Sequence, residues 1–443
     1  MQENVSAIAT PHGKGGVAII RISGETALEL ASKMFRPNAK IPVVDFQPYR
    51  MYTGEIEAEG FTDYGMCVYF KAPHSYTGED VVEFHCHGGE SIARGVLKRT
   101  YALGARPATR GEFTKRAFLN GKLSLASAEG VADMINGESE AEVKAGYMLY
   151  SEKLTERVKA LQSALTTALA EIDVSFDYPE EDLEEVQTAQ TQAVLEETEK
   201  EILSLLSGYA TGRKIKSGVT VALCGKPNTG KSSLLNRLLG YDKAIVSSIA
   251  GTTRDAVEGT IEIEGRKFNL YDTAGVRESG DEIESIGIQM AERIIQSADV
   301  AVYVVDATDE DSEDLDLLSR LEGKPLIKIV NKIDLASGTN QSADLEISAM
   351  TGEGIERLKT LLYEKSFGDR GEDAAFLIEE RHYDALRRAK DSVTKALNAC
   401  RSESLDLIAV DVKECWDALG EITGETATER IIEEIFSKFC VGK

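Results

Sequence analysis

The chain has 443 residues, 42% of them hydrophobic and 28% charged, with 50 Lys and Arg against 75 Asp and Glu for a formal net charge of −25. That length corresponds to about two to four domains with a real hydrophobic core, which argues against wholesale disorder and against a disulfide- or metal-stapled miniprotein. The acidity argues against a protein that grips nucleic acid or anionic lipid over its whole surface.

Residues 1–120 hold 14 basic and 13 acidic residues, so they are near neutral and the remainder carries −26. Six of the nine prolines also fall in the first 107 residues. Proline breaks helices and marks turns, so this segment is expected to be rich in strands and turns and much of the rest helical. Short apolar runs such as Val17–Ile22 and Met66–Phe70 between turn residues predict an α+β domain over residues 1–118. The first residues, Met-Gln-Glu-Asn, lack the basic and apolar regions of a signal peptide. No apolar run approaches the ~18 residues of a spanning helix. Six cysteines are scattered without a C-x-x-C pair, which indicates neither zinc ribbon nor disulfide framework. A cytoplasmic setting is expected.

From residue 119 the period changes. Leu154, Val158, Leu161, Leu165, Ala168 and Ile172 recur at steps of three and four, predicting a long packed helix. Pro179 ends or interrupts it, and a second helical run reaches Leu206. At Gly218 an α/β unit begins, with strands predicted at Val219–Cys224, Phe268–Leu270, Val300–Val305 and Ile327–Val330 and a helix at Ser232–Leu239. Helical stripes resume after about 370, where Leu405, Ile408, Val412, Trp416 and Leu419 share a face. The expected organisation is a helical domain split into 119–217 and 371–443, with a nucleotide-binding domain inserted at 218–370.

Gly225-Lys-Pro-Asn-Thr-Gly-Lys-Ser232 matches the phosphate-binding loop and lies between strand and helix, the context that motif needs. Loop amides and the positive end of the helix would wrap the phosphates, with Lys231 on the β- and γ-phosphates and the Ser232 hydroxyl on Mg²⁺. Asp272-Thr-Ala-Gly275 follows a strand; the aspartate can hold the magnesium water shell and the Gly275 amide can sense the γ-phosphate. Asn331-Lys-Ile-Asp334 resembles the N-K-x-D of GTPases, whose aspartate accepts two hydrogen bonds that guanine offers and adenine does not. Ser348-Ala349 resembles the loop behind the guanine ring. Four pieces in this order predict GTP binding through Asn228, Thr229, Gly230, Lys231, Ser232, Ser233, Asp272, Thr273, Ala274, Gly275, Asn331, Lys332 and Asp334.

Gly251-Thr-Thr-Arg-Asp255 looks like a first switch segment, with Thr253 completing the magnesium shell. Val276 stands where Ras-like enzymes carry a water-orienting glutamine. Another group must then position the water and offset the charge. Glu284 and a monovalent cation on Asn228 are candidates.

These runs, with Ala9-Thr-Pro-His-Gly-Lys-Gly-Gly16, Tyr76-Thr-Gly-Glu-Asp-Val-Val-Glu83, Arg110-Gly-Glu-Phe-Thr-Lys-Arg116 and the tail Phe439-Cys-Val-Gly-Lys443, closely resemble the tRNA-modification GTPase family called MnmE (TrmE). Ribosome-assembly GTPases share the central motifs but not these flanks; a GTP-switched ribosome-assembly protein is the rival reading. The resemblance implies a multidomain α/β and α fold: an α+β folate-binding, dimerising amino-terminal domain, a discontinuous helical domain, and an inserted doubly wound Ras-like P-loop GTPase domain. It implies K⁺-dependent hydrolysis stimulated by meeting of the GTPase domains across a homodimer. It also implies an FAD-carrying MnmG-type partner, and modification of C5 of the wobble uridine of certain tRNAs with a one-carbon unit from 5-formyl- or methylene-tetrahydrofolate. It places K⁺ contacts on Asn228, Ser247, Ile249 and Thr252, with Ser248 among the nucleotide-contacting residues. Magnesium falls on Ser232 and Thr253, the catalytic acid on Glu284 beside Lys231, and folate contacts on Arg21, Glu83, Lys122 and Lys443. Ser247-Ser248 replaces the Thr-Asp often found there. His85 and His87 share a strand face without a third ligand nearby and are expected in a pocket or core, not on zinc.

Overall fold

A computed structural model describes residues 3–177, 184–241, 259–273, 291–309, 314–335, 343–368, 379–400 and 405–443. The chain divides into two compact units. One holds Met1–Ala132, Met148–Ile202 and Asp384–Lys443; the other holds Asp133–Tyr147 and Leu203–Tyr383.

The first unit begins with β1 (Val5–Ile8), β2 (Val17–Ser23), α1 (Ala27–Ser32), β3 (Phe35–Pro37), β4 (Met51–Glu57), β5 (Thr62–Phe70), β6 (Val81–His87), α2 (Glu90–Ala102), β7 (Arg106–Pro107) and α3 (Glu112–Leu119). The strands form one sheet in the order β3-β4-β5-β6-β2-β1-β7. Alternation sets its two faces. Ile20, Ile22, Tyr52, Ile56, Val82 and Phe84 point to a core closed by Leu30 and Ala31 of α1 and Ala93 and Val96 of α2. The intervening residues face the other way, and there Val5 and Ala7 of β1 pack on Phe113 of α3. Register places Arg21 of β2 directly opposite Glu83 of β6. The predicted strand–turn character of this segment is what the fold shows.

Next come α4 (Leu125–Asn136), α5 (Glu140–Tyr150), α6 (Lys153–Asp177), α7 (Glu184–Ser207) and α8 (Tyr209–Ser217). The predicted stripe of α6 is buried at every position from Leu154 to Ile172. Pro179 lies outside the described residues.

The second unit carries β8 (Val219–Cys224), α9 (Lys231–Tyr241), β9 (Gly259–Ile263), β10 (Arg266–Asp272), β11 (Val300–Asp306), α10 (Leu315–Arg320), β12 (Leu326–Asn331), β13 (Leu345–Glu346) and α11 (Ile355–Phe367). The sheet order is β13-β12-β11-β8-β10-β9. All neighbours are parallel except β9, which pairs antiparallel with β10. The four predicted strands are present, and β9 and β13 are additions, β9 with a readable signal of its own. Its signal is the alternation Ile261-Glu-Ile263, followed by Glu264 (φ 49°) and Gly265 (φ 73°), a two-residue hairpin turn with left-handed backbone at both central positions. Both sheet faces are covered, so the central strands read as continuous apolar runs.

The chain closes with α12 (Glu380–Ala399), α13 (Leu405–Thr423) and α14 (Glu429–Ser437). On α13 the expected stripe needs one correction. Ile408, Val412, Cys415, Leu419 and Ile422 are buried, whereas Trp416 is only half-buried. The steps of four, three, four and three select Cys415. The indole stands at the edge because its N–H needs a partner, which it finds in Thr166 Oγ1 of α6 at 3.0 Å.

Candidate functional site

Strand β8 is buried at every position but Thr220 and delivers the chain to a loop at the sheet's carboxyl edge. Gly225 sits at φ 141°, and a Cβ there would lie 2.3 Å from the Val304 carbonyl oxygen. Gly230 sits at φ 91°, where a Cβ would lie 2.3 Å from Asn331 Nδ2. Only glycine passes both points. The loop opens directly into the eleven-residue α9, whose first-turn amides have no intrahelical acceptor.

Lys231, 3% exposed, donates from Nζ to the carbonyls of Gly225 (2.9 Å) and Lys226 (2.6 Å). Its ammonium therefore spans the mouth of the loop. Ser232 Oγ donates to Asp272 Oδ2 at 2.6 Å, joining α9 to the end of β10. A hydroxyl and a carboxylate placed together are hard oxygen donors of the kind Mg²⁺ takes. Thr273 closes the floor by donating from Oγ1 to Leu223 O at 2.9 Å. Gly225, Asn228, Lys231, Ser232, Thr273 and Lys332 line a cavity of about 740 Å³.

A second wall stands at the ends of β12 and β13. Asn331, 1% exposed, donates from Nδ2 to Thr229 O (3.0 Å) and accepts from Ala349 N (3.0 Å). One side chain thus ties the phosphate loop to the Ser348-Ala349 loop. Lys332, at φ 68°, donates from Nζ to Asn228 O (2.7 Å) and pairs with Asp306 Oδ2 (2.5 Å). Ser348 Oγ donates to Asp334 Oδ1 at 2.5 Å and so orients that carboxylate. Ser233, Asn236, Lys332, Asp334 and Ala349 line a cavity of about 630 Å³ beside this wall.

Two supporting residues escaped the sequence reading. Arg237 donates from Nε to Ala349 O at 2.7 Å, and its guanidinium also reaches Met350 O. Asp306 receives Lys332. Burial pushes the Asp306 carboxyl up, but hydrogen bonds from Lys332 and Thr308 outweigh it and hold the group below its ordinary range. Neither residue lies in a motif, and only folding brings them here. Ser247, Ser248, Ile249, Thr252, Thr253, Ala274, Gly275 and Glu284 lie outside the described residues.

The other predicted group is in the first unit. Arg21 Nε donates to Glu83 Oε1 at 2.7 Å across β2 and β6. Its guanidinium lies 5.4 Å from the Tyr76 ring centroid and 5.5 Å from that of Phe113. His85 Nε2 stands 3.4 Å from Glu83 Oε2. Burial raises the Glu83 carboxyl, yet His85 and Arg21 together pull it below its ordinary range. Lys443 arrives from the far end of the chain. Its backbone carbonyl accepts from Phe113 N at 3.2 Å, and Val441 bridges antiparallel to Arg110. Burial lowers the Lys443 ammonium, helped by the charge of Arg21 and opposed by Glu83. Arg21 and Glu83 are therefore paired, and the docked tail brings Lys443 within reach of their charges. Lys122 does not join their contacts; its Nζ donates to Pro73 O at 2.9 Å. Tyr76 and Phe113, which the sequence reading did not assign, flank the Arg21 guanidinium. Among the described residues no cluster of three or more His, Cys, Asp and Glu could hold a metal ion.

A glycine-gated loop at a helix start, a buried lysine across it and an Asn-Lys-x-Asp wall behind it define the nucleotide site of a P-loop GTPase. The family described as the MnmE helical domain matches residues 125–440, and the GTP-binding protein TrmE N-terminus matches residues 4–122. The tRNA modification GTPase MnmE of Alkaliphilus metalliredigens is 39% identical with full coverage of both chains. Its namesake in Clostridioides difficile is 37% identical, again over the whole of both. The solved G domain of the T. maritima FeoB iron transporter aligns with 33% of this chain and 98% of its own at 29% identity and a TM-score of 0.26. The chain belongs to the MnmE family of tRNA-modification GTPases. It is a GTP hydrolase acting in tRNA modification. Among the described residues no helix is long and apolar enough to cross a membrane.

Proposed function

We propose that this protein is a K⁺-dependent GTPase that works in the cytoplasm as a homodimer, with an FAD-carrying MnmG-type partner. Together they modify C5 of the wobble uridine of certain tRNAs with a one-carbon unit from a tetrahydrofolate derivative. In this reading residues 1–118 form the folate-binding and dimerising domain, 119–217 and 371–443 the helical domain, and 218–370 the GTPase domain.

GTP lies with its phosphates in the Gly225–Ser232 loop and its base against Asn331, Lys332 and Asp334. Thr229, Gly230, Ser233, Ser248, Thr273, Ala274 and Gly275 supply further contacts. Ser232 and Thr253 hold Mg²⁺, with Asp272 on its water shell. Asn228, Ser247, Ile249 and Thr252 hold K⁺, which supplies positive charge where an arginine finger would otherwise act. Lys231 stabilises charge building on the phosphate oxygens, and Glu284 orients the attacking water. Lys231 gives up two carbonyl partners, Gly225 O and Lys226 O, when a phosphate offers stronger acceptors.

The observation that carries the folate part is the convergence of Arg21, Glu83 and Lys443 between Tyr76 and Phe113. A carboxylate faces the donor edge of a pterin, aromatic rings flank it, and two cations suit a glutamate tail. Lys122 stands outside that contact set and serves the rim in this proposal. The test is mass spectrometry of wobble nucleosides from a strain lacking the protein. The expected result is unmodified uridine where the parent strain carries the modified base; an unchanged nucleoside profile would sink the proposal.

A further inference from the structure

We propose that the surface around Tyr49 is where single-stranded nucleotides of the tRNA dock, with a base stacking on the Tyr49 ring and adjacent phosphates meeting Arg50 and Lys71. This rests on the reading of tRNA as substrate and adds the place of contact.

Tyr49 is 54% exposed, yet its ring is pinned. Its hydroxyl donates to His74 O at 2.7 Å, its amide donates to Tyr69 O at 2.8 Å, and its ring meets Phe70 edge-on at 5.9 Å. Its backbone is left-handed at φ 63°, a conformation rare for an aromatic residue. Backbone strain of that kind persists only where the surroundings enforce it, and it clusters at binding sites. The outcome is an exposed aromatic face that has already lost its freedom. That is the property of a stacking platform, which gains most from bases that are themselves unstacked in a loop.

Two cations neighbour Tyr49 along the chain: Arg50 follows it directly, and the Lys71 carbonyl lies 3.4 Å from the Tyr49 hydroxyl. Arg50 and Lys71 are exposed and make no ion pair among the described residues. The Arg50 guanidinium lies 5.7 Å from the Tyr52 ring, which is itself stacked on Phe46 at 3.8 Å. Asp80, the carboxylate beside the turn, is engaged with the Ala72 amide at 2.9 Å and with the Tyr69 hydroxyl. The turn that carries Lys71 and His74 continues to Tyr76, the wall under Arg21, so the docking surface and the Arg21–Glu83 pocket share one loop. Single-stranded nucleic acid fits both the charge and the ring.

The test uses the full-length protein and a fluorescein-labelled anticodon stem-loop with an unmodified wobble uridine, followed by anisotropy at rising KCl. Tyr49→Ala should weaken binding about tenfold, and Tyr49→Phe, which keeps the stacking face, should stay within about threefold of the parent. Arg50→Gln and Lys71→Gln should each reduce the slope of log K against log salt by about 0.7. Basal GTP hydrolysis and the mass in solution should not change in any variant, which shows that each folds. Parent-like affinity in Tyr49→Ala, or no stem-loop binding by the parent, overturns the proposal. A change of oligomeric mass in Tyr49→Ala overturns it in favour of a second copy on this face. If the surface fails while the wobble nucleoside still depends on the protein, the substrate reading stands. If the nucleoside does not depend on the protein, that reading has failed first.

Discussion

Glu112 shows how much one buried carboxylate can hold. It accepts from both Arg106 terminal nitrogens (2.6 and 3.0 Å), from Arg116 (3.1 Å) and from the Thr109 amide (2.8 Å). Burial alone would raise its pKa, but these donors overcome that and bring it down to about 2 from an unperturbed 4.5. A depressed carboxylate pKa means stability that is complete above the unfolded value and lost as pH falls through the folded one. Glu112→Gln should therefore lower stability by about 2 kcal/mol at pH 7. The deficit should shrink between pH 4.5 and 2. Calorimetric unfolding across that range checks it, and a deficit of the same size at pH 2 and pH 7 would refute the role. At the same scale, Asn331 illustrates a limit of motif reading. Its place in Asn-Lys-x-Asp was legible, but its bonds to Thr229 and Ala349 were not. A motif names a residue type, whereas a brace between two loops depends on where both loops end.

Among elements, α6 and α13 show periodicity at its most reliable. Every apolar position predicted on α6 is buried, because a three-and-four pattern has one geometric meaning on a helix. The spacing selects Cys415 over Trp416, and the indole N–H finds its partner at Thr166. The carboxyl-terminal tail is the opposite case. Its motif was evident, but its path along α3 was not. Gly442 lies at φ 102°, and a Cβ there would stand 2.2 Å from Ile8 O and 3.2 Å from Ala9 Cα. Gly442→Ala should lift the tail from its groove and draw Lys443 away from Arg21 and Glu83. The expected effect is a loss of about tenfold in affinity for 5-formyl-tetrahydrofolate by titration calorimetry, with basal GTP hydrolysis unchanged. Undiminished folate affinity would show that the tail's seating does not matter to the pocket.

For the whole molecule, the charge of −25 acquires a location. The amino-terminal segment is near neutral and displays unpaired cations, while the acid excess lies in the rest of the chain. On the docking surface proposed above, RNA contact is expected to be local and salt-sensitive, not spread over the surface. The proposed cation mechanism is also a property of the assembly. At equal ionic strength GTP hydrolysis should be at least about tenfold faster in KCl than in NaCl, since one well-placed electrostatic group contributes on that order or more. Equal initial rates in the two salts would remove K⁺ from the mechanism.

Contiguous pattern was enough to set the Gly225–Ser232 loop between strand and helix, the Asn331–Asp334 segment at a strand end, the long helices and the strand-rich start. In each of these the chemistry is local: a few residues in a row dictate backbone shape, and the backbone does the binding or packing. The Arg21–Glu83–Lys443 pocket is different. No local pattern singles out Arg21 and Glu83; only the family resemblance assigned them. Strand register put them opposite each other across 62 residues of chain, and the docked tail brought in the lysine. Such a site depends on long-range pairing and on burial, and neither is encoded in any short stretch of sequence. The pinned Tyr49 ring follows the same rule, since its strain and its anchor at His74 exist only once β5 and the turn after it have packed against the residues before β4.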